Sequence, residues 1–266
     1  AAMEIDLLIL TVYFICIGYV VYQMALSLEA ELEDQVVLVP NGDYLENSVK
    51  TQLAQQGLSH LTAEVLNPPP APLRSGLALR LTIPNPALPS SAEVDELPDG
   101  QIILQVLPQG PHPMQPLKGL TINVINQTQT LQVIADWDRS SFTRMNSQIS
   151  RVIRHTPGMR LDLSLPQVVS AINPNQYLST AVTSEATYSR DPESQVLQIS
   201  APLVNIEQTV AMPPPMNTYG LDLVLQFNAF SGRGMRPVML LVPFRFQVEL
   251  LPDRAAIPFV NWVLKR

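Results

Sequence analysis

The sequence predicts a mainly β protein, an immunoglobulin-like or Greek-key β-sandwich tethered to one N-terminal transmembrane α-helix. Three observations lead to this prediction. Residues 7–28 form an uncharged apolar run, proline accounts for 25 of the 266 residues, and the chain after residue 75 alternates short apolar runs with turn residues. Because proline interrupts helices and is tolerated at turns and strand edges, this composition favours loops and short strands.

The predicted anchor, residues 7–28, reads LLILTVYFICIGYVVYQMALSL. A helix rises about 1.5 Å per residue, so this run is long enough to span the ~30 Å hydrocarbon core of a bilayer. A signal peptide would begin with a basic region and have a shorter apolar run, whereas Glu4 and Asp6 are the only charged side chains before this one. A buried core helix rarely stays uncharged over about six turns. We therefore prefer a membrane anchor.

The side of the membrane is inferred from the lysines and arginines close to the anchor. Neither flank contains one, and the first in the chain is Lys50. Every Lys and Arg lies downstream of the anchor, and the acidic N-terminus is short. These features favour a single-pass membrane protein with its large domain on the cytoplasmic side.

Small and polar residues recur along the anchor. Thr11, Gly18 and Ala25 are spaced by seven residues and form one stripe, whereas Tyr19 and Gln23 are four apart and share a face. Small residues let helix backbones approach in a bilayer, and lipid cannot satisfy hydrogen-bonding side chains. These five residues are the predicted interface with another transmembrane helix. The alternative is that the polar residues lie at the lipid headgroups.

The sequence divides into three segments. They are an anchor with an acidic collar over residues 1–34, a juxtamembrane helix with a proline-rich linker over residues 35–74, and a β-sandwich domain over residues 75–266. In the second segment Asp43 is a candidate cap for a helix over residues 44–58. The run NPPPAPLR favours polyproline II, and we prefer a semi-rigid spacer to a ligand for a proline-reading domain.

The third segment has the period of two that is typical of strands. We predict about ten strands, over residues 76–84, 101–108, 119–126, 130–138, 149–156, 160–165, 177–189, 195–200, 221–230 and 238–251. Residues 119–126 and 130–138 are predicted to be antiparallel neighbours. Ser231-Gly232-Arg233-Gly234 is a predicted hairpin turn. One sandwich is preferred; two tandem sandwiches that divide near Pro166 are the alternative.

Composition argues against several functions. The net charge of −7 and the absence of any run of Lys or Arg argue against nucleic-acid binding. Cys16 is the only cysteine and lies in the anchor, and the three histidines fall in separate segments. No phosphate-binding loop, dinucleotide fingerprint or nucleophile elbow occurs. We therefore predict no catalytic residues, no cofactor, no metal and no enzyme.

Two local patterns have a structural and a functional interpretation. Asp136 and Asp138 share a strand face and could bind Ca²⁺ or act as acid and base. The preferred interpretation is a strand end at which Arg139 pairs locally and Trp137 lies in the core. Asn126-Gln127-Thr128 matches the N-glycosylation sequon, which matters only if the domain enters a secretory lumen.

The C-terminal run AIPFVNWVLKR, residues 256–266, is apolar with a basic end. One interpretation is a short interfacial helix with Trp262 at headgroup depth. The preferred one is a tail that packs against protein, on the domain or on a partner subunit. Phe259 and Trp262 are therefore the predicted partner or membrane contacts.

Residues 119–174 include Asp136-Trp137-Asp138, Arg151-Val152-Ile153-Arg154 and Thr156-Pro157-Gly158. On these residues the stretch resembles β-sandwich domains of uncharacterised cyanobacterial membrane proteins. The resemblance implies a thylakoid or plasma membrane and implies no activity.

These features predict a non-catalytic accessory or assembly subunit of a multi-subunit membrane complex, photosynthetic if the resemblance holds. Its expected partners are other transmembrane helices and lipid, and the sandwich would cover or tether a peripheral partner. The alternative is an autonomous membrane-tethered binding module for glycan, peptide or cell-wall polymer. A membrane-bound hydrolase is the least favoured hypothesis.

Overall fold

The computed structural model describes residues 10–24, 36–58, 61–66, 76–83, 100–109, 115–145, 148–155, 161–193, 195–229 and 237–250. The chain forms two compact units. One comprises Ala1–Val36 with Leu250–Arg266, and the other is Val37–Glu249.

The first unit contains helix α1, of which residues 10–24 are described. Every residue of this stretch is exposed and none is charged. Within the part of the chain that the structure describes, no helix is both long enough and apolar enough to cross a membrane. The two ends of the predicted anchor, including Ala25, lie outside the described residues, as do Phe259 and Trp262.

The rest of the described chain is mainly β, which confirms the predicted class. The strands are β1 (Val36–Pro40), β2 (Thr62–Leu66), β3 (Leu77–Ile83), β4 (Gly100–Gln109), β5 (Gly119–Asn126), β6 (Leu131–Arg144), β7 (Gln148–His155), β8 (Ser170–Ile172), β9 (Gln176–Ser184), β10 (Tyr188–Arg190), β11 (Leu197–Ile199), β12 (Thr218–Ala229) and β13 (Val238–Leu250). The helices are α2 (Gly42–Gln55) and α3 (Ile206–Val210), with a 3₁₀ turn at Glu185–Thr187.

The strands form one antiparallel sheet that curls. Its order is β1-β13-β12-β6-β7-β9-β5-β4-β3-β2, with β8 also paired to β6, while β10 and β11 form a separate pair. Strands β2 to β5 follow one another as a meander. The two strands of the predicted hairpin are antiparallel neighbours, since β12 and β13 pair from Thr218↔Gln247 to Phe227↔Val238. The predicted turn, Ser231-Gly232-Arg233-Gly234, lies outside the described residues.

Strand β7 connects the two halves of the sheet. Its first half pairs with β6, ending at Ser141↔Arg151, and its second half pairs with β9, starting at Val152↔Ser184. A strand that changes partners midway makes a corner between two sets of strands. Beyond this corner β8 takes the place beside β6, with Val133 opposite Ile172.

The core follows the alternation of the strands. In β13 the even-numbered side chains from Leu240 to Val248 are buried, whereas Met239 and Leu241 are exposed. The largest fully buried side chains are aromatic: Trp137, Phe142, Tyr219, Phe244 and Phe246. The ring of Tyr219 stacks on Phe246 at 5.1 Å between centroids. Such contacts add to the burial of apolar area, which supplies most of the stability.

The hydroxyl group of Tyr219 is buried and finds no hydrogen-bond partner among the described residues. Burial also raises the pKa of Tyr219. Because a buried unsatisfied hydroxyl is costly, we expect Tyr219→Phe to leave the free energy of unfolding unchanged or raise it by about 1 kcal/mol. Urea unfolding followed by circular dichroism measures this. Tyr177→Phe at an exposed site is the control. A loss of stability above about 1 kcal/mol in Tyr219→Phe would show that the hydroxyl is bonded after all.

Helix α2 belongs to the same unit as the strands. Its Leu45, Val49 and Leu53 are buried, as their spacing on one helical face requires. The side chain of Asn41 accepts a hydrogen bond from the Tyr44 N–H at 3.0 Å and caps the helix. The prediction that Asp43 caps the helix is therefore wrong, since Asp43 lies in the first turn.

The organisation expected over residues 35–74 differs from the one observed. The part of this segment that the structure describes supplies β1, α2 and β2, and these strands are the two ends of the sheet. Strands from before and after Pro166 are also neighbours, since β5 pairs β9 and β6 pairs β12. Strands from before and after Pro166 alternate in the order of the sheet, so both parts of the chain belong to one sheet. The linker residues 67–74 lie outside the described chain.

Two strand predictions are wrong. Strands β5 and β6 are not paired, because β5 lies between β4 and β9, whereas β6 lies beside β12, β7 and β8. The predicted strand over residues 160–165 is also wrong. Its described residues form a turn in which the Asp162 carboxylate accepts hydrogen bonds from Ser164, including one from the N–H at 3.0 Å. The Ser164 side chain and N–H also lower the pKa of Asp162. Short polar side chains that bond the nearby backbone in this way favour turns over strands.

Candidate functional site

A group of hydrogen-bonded polar side chains lies at the corner where β7 leaves β6. We call Asp138, Arg151, Arg154, Gln167, Ser170 and Glu185 the corner cluster. Arg151 on β7 donates to Glu185 (Nε–Oε2, 3.2 Å) and pairs with Asp138 (Nη1–Oδ1, 3.5 Å). It also donates to the carbonyl oxygen of Leu163. One guanidinium thus holds β6, the 3₁₀ turn and the loop before β8 together.

Gln167 fills the gap that opens at the corner. Its side-chain Nε2 donates to the Val152 carbonyl at 2.7 Å, and its Oε1 accepts from the Arg154 N–H at 2.8 Å. Its own N–H donates to Asp138 Oδ2 at 2.8 Å. The Val152 carbonyl and the Arg154 N–H belong to the part of β7 that β6 no longer pairs. Gln167 therefore bonds backbone groups that would otherwise be left unpaired.

Ser170 connects the corner cluster to the core. Its Oγ accepts from Trp137 Nε1 at 3.0 Å and from Arg154 Nη1 at 2.8 Å. The indole of Trp137 is fully buried, and a buried Trp N–H normally requires such a partner. The bond therefore ties β6, β7 and β8 through one hydroxyl group.

The side chains of the corner cluster bond neighbouring strands and loops to one another. Asp136 pairs with Arg139 at 3.5 Å and Trp137 lies in the core, which confirms these two parts of the preferred interpretation. The predicted strand end is wrong, because β6 continues to Arg144. Asp138 is bonded to Gln167 and Arg151. Among the described residues, no group of three or more His, Cys, Asp or Glu side chains is placed to hold a metal ion. His155 is exposed at the end of β7, and His60 and His112 lie outside the described chain.

Sequence reasoning did not identify Arg151, Gln167 and Ser170 as a group. Arg151 carries a weak signal, because it is a charged residue directly before the buried apolar pair Val152 and Ile153. Gln167 and Ser170 carry none, since their partners are set by the corner in β7.

Asn126 at the end of β5 directs the chain to the other half of the sheet. It is fully buried. Its Nδ2 donates to the carbonyls of Leu131 (2.8 Å) and Ile172 (3.1 Å), and its Oδ1 accepts from Thr128 N and Oγ1. Every hydrogen-bonding atom of the amide is used inside the fold. Glycosylation of this sequon would require the Nδ2 atom to be accessible, so the folded unit excludes it.

A shallow groove of about 360 Å³ lies where β1 meets α2, and Pro40, Gly42, Thr218, Arg245 and Gln247 are among its lining residues. The Arg245 guanidinium pairs with Asp222 at 2.7 Å (Nη2–Oδ1). A Cβ at Gly220 would come within 2.7 Å of Arg245, so this close approach requires glycine. The charge of Arg245 is thus already matched within the protein.

The predicted docking residues lie on α1, as far as they are described. The Tyr19 hydroxyl accepts a hydrogen bond from Gln23 Nε2 at 3.1 Å, as expected for residues on one face. A Cβ at Gly18 would have no described atom within 4 Å. Thr11 is exposed on the same helix. Ala25, the third residue of the stripe, lies outside the described residues.

The residues themselves carry the functional argument. No family model, no curated protein and no solved structure matches the chain.

Proposed function

We propose that the chain is a non-catalytic accessory or assembly subunit of a multi-subunit membrane complex. A single transmembrane helix over residues 7–28 anchors it, and the β unit covers or tethers a peripheral partner. The observation that carries the proposal is α1, which is uncharged and exposed over all of residues 10–24. Large apolar side chains point outward on every side, with Phe14 62% and Ile15 65% exposed. A helix that is apolar all round is stable when protein or lipid surrounds it.

A lateral contact with a second helix accounts for the texture of α1. Lipid covers apolar surface equally on all faces and gives no reason for a stripe of Thr11, Gly18 and Ala25. A neighbouring helix does, because small residues permit close packing of backbones. Tyr19 and Gln23 already bond each other, and Gln23 keeps further donor and acceptor capacity for a partner.

The β unit supports the same proposal. The polar side chains of the corner cluster are bonded to strands and loops, which is the chemistry of a rigid scaffold. We propose the finer architecture as a sandwich with immunoglobulin-like packing, supported by two sets of strands around one core. The meander of β2 to β5 shows a simpler order than a Greek key in that half. We place the unit on the cytoplasmic side of a thylakoid or plasma membrane, as the sequence favours.

The second candidate is an autonomous membrane-tethered binding module for glycan, peptide or cell-wall polymer. The groove at the β1–α2 junction favours it, because its volume is near the lower limit for ligand sites. Tyr44 lies over Arg245, with the guanidinium carbon 5.8 Å from the ring centroid, and offers an aromatic face nearby.

Gentle detergent extraction of the tagged chain from its own organism separates the two functions. The subunit proposal expects one defined complex on a native gel, with constant partners by mass spectrometry. A lone monomer under conditions that preserve other membrane complexes would contradict it and favour the binding module.

Gly18→Leu tests the docking face. A Cβ at this position has no described atom within 4 Å, so we expect the variant to fold and reach the membrane. We expect the complex to fall at least about tenfold in amount on the native gel, because close helix packing is lost. Ile17→Leu on another face is the control and should leave the complex intact. If Gly18→Leu co-migrates with the complex as the wild type does, the stripe is not the contact.

A further inference from the structure

The outer edge of β13 is covered by two elements in succession. Strand β1 pairs along one part of this edge, and the Asn41 N–H donates to the Arg245 carbonyl at 3.0 Å just after β1 ends. Helix α2 follows and runs antiparallel to β13, since Gln52 bonds Leu241 and Gln56 bonds Met239. The edge of β13 that β1 does not reach is therefore covered by helical side chains.

Gln52 acts there as a substitute for a peptide group. Its Nε2 donates to the Leu241 carbonyl at 2.7 Å, and its Oε1 accepts from the Leu241 N–H at 2.9 Å. Two bonds to one residue are what a hydrogen-bonded antiparallel strand pair makes. A carboxamide can make them because it carries the same donor and acceptor as the backbone. Gln56 Nε2 adds a bond to the Met239 carbonyl at 2.7 Å.

The remaining position on this edge is a proline. The backbone N–H and C=O groups of residues 239, 241, 243 and 245 point toward the outer edge of β13, because successive residues of a strand form hydrogen bonds on opposite sides. Pro243 lacks the N–H that its position would otherwise offer. Leu241 is bonded at both backbone groups, Met239 and Arg245 are bonded at their carbonyls, and Pro243 has no N–H to donate. None of the four therefore offers a free donor together with a free acceptor to another strand.

At the other end of the sheet, a side chain of α2 also bonds the backbone of the edge strand, β2. The Glu46 carboxylate of α2 accepts from the Val65 N–H of β2 at 3.1 Å and from Lys50 at 2.6 Å. The hydrogen bond from Lys50 and, to a smaller extent, that from the Val65 N–H hold the pKa of Glu46 below its usual value. Helix α2 thus bonds both edge regions of the sheet, β13 on one side and β2 on the other.

We infer that α2 is an edge guard, held on β13 by Gln52 and Gln56, that keeps this strand from pairing with β13 of a second copy of the chain. An open strand edge is a template for pairing with another strand. The stretch Val238–Val242 is uncharged, and two of its residues, Met239 and Leu241, are 41% and 42% exposed to solvent. A β13–β13 contact would be antiparallel and self-complementary, as a two-fold dimer requires. The inference does not depend on the proposed function.

The test uses the full chain in detergent micelles and the double variant Gln52→Ala/Gln56→Ala. We expect the Leu241 amide to exchange hydrogen roughly five- to tenfold faster, because its bond to the side chain is lost. We also expect sedimentation velocity to show a dimer that grows with protein concentration. Gln55→Ala, an exposed site on the same helix, is the matched control. Association through α1 would be the same in both proteins and is removed by the comparison.

Gln52→Glu separates the guard from stability. Its carboxylate still accepts from Leu241 N–H but adds a charge at the edge, and charged side chains oppose strand addition. We expect this variant to associate no more than the control does. If the double variant exchanges at the wild-type rate, or sediments like Gln55→Ala at every concentration, α2 is not an edge guard.

Discussion

Trp137→Ala should lower the free energy of unfolding of the β unit by about 3–5 kcal/mol. The indole is fully buried between strands, so its removal leaves a cavity that the surrounding β-sheet cannot close completely. It also deprives Ser170 Oγ of one of its two donors. For a domain of this size we expect the melting temperature to fall by roughly 2–4 °C per kcal/mol. Far-UV circular dichroism in urea and on heating measures both.

Trp137→Phe provides the comparison for this prediction. The phenyl ring fills part of the same space but cannot donate to Ser170. We expect a cost between those of the wild type and the alanine variant, about 1–2 kcal/mol. A loss below about 1 kcal/mol in Trp137→Ala would contradict the placement of this side chain at the centre of the core.

Asn126→Leu should cost about 3 kcal/mol, although the two side chains are similar in size. Leucine cannot donate to the carbonyls of Leu131 and Ile172, nor accept from Thr128. These backbone groups would remain buried and unpaired, and each such group costs about 1–3 kcal/mol. We expect the crossing from β5 to β6 to loosen before the rest of the unit. Urea unfolding gives the free energy, and hydrogen exchange of residues 126–131 gives the local effect.

Asn123→Leu is the matched control, three residues earlier on the same strand. Asn123 is only partly buried and donates to Gln105 Oε1 at 3.2 Å on the sheet surface. We expect it to change stability by less than about 1 kcal/mol. Equal losses in the two variants would mean that the buried bonds of Asn126 have no special role.

The positions of several strands could be predicted because a half-buried strand leaves a period of two in the sequence. The prediction for residues 119–126 coincides with β5, and that for residues 149–156 differs from β7 by one residue at each end. The hairpin of β12 and β13 was also predictable, since glycine-rich turn residues separate two apolar runs. These features depend on residues that are close in the sequence.

The candidate sites were predictable to different extents. The sequence predicted that Trp137 lies in the core and that Arg139 pairs locally, and both predictions follow from the pattern of residues along one strand. It could not assign Arg151, Gln167 and Ser170, because their roles arise where β7 changes from β6 to β9. The docking residues of α1 follow from spacing alone and await the experiments on Gly18.

The sequence by itself determined the β class, the positions of most strands and the uncharged run at the N-terminus, all of which are local patterns of side-chain polarity. Only the tertiary structure decided which strands are neighbours. Residues 126 and 131 are close in the chain, yet the buried amide of Asn126 directs β5 and β6 to different halves of the sheet. Gln52 and Leu241 are far apart, yet two hydrogen bonds join them. Pairing of this kind depends on which backbone groups remain unsatisfied after folding, and a one-dimensional pattern does not contain that information.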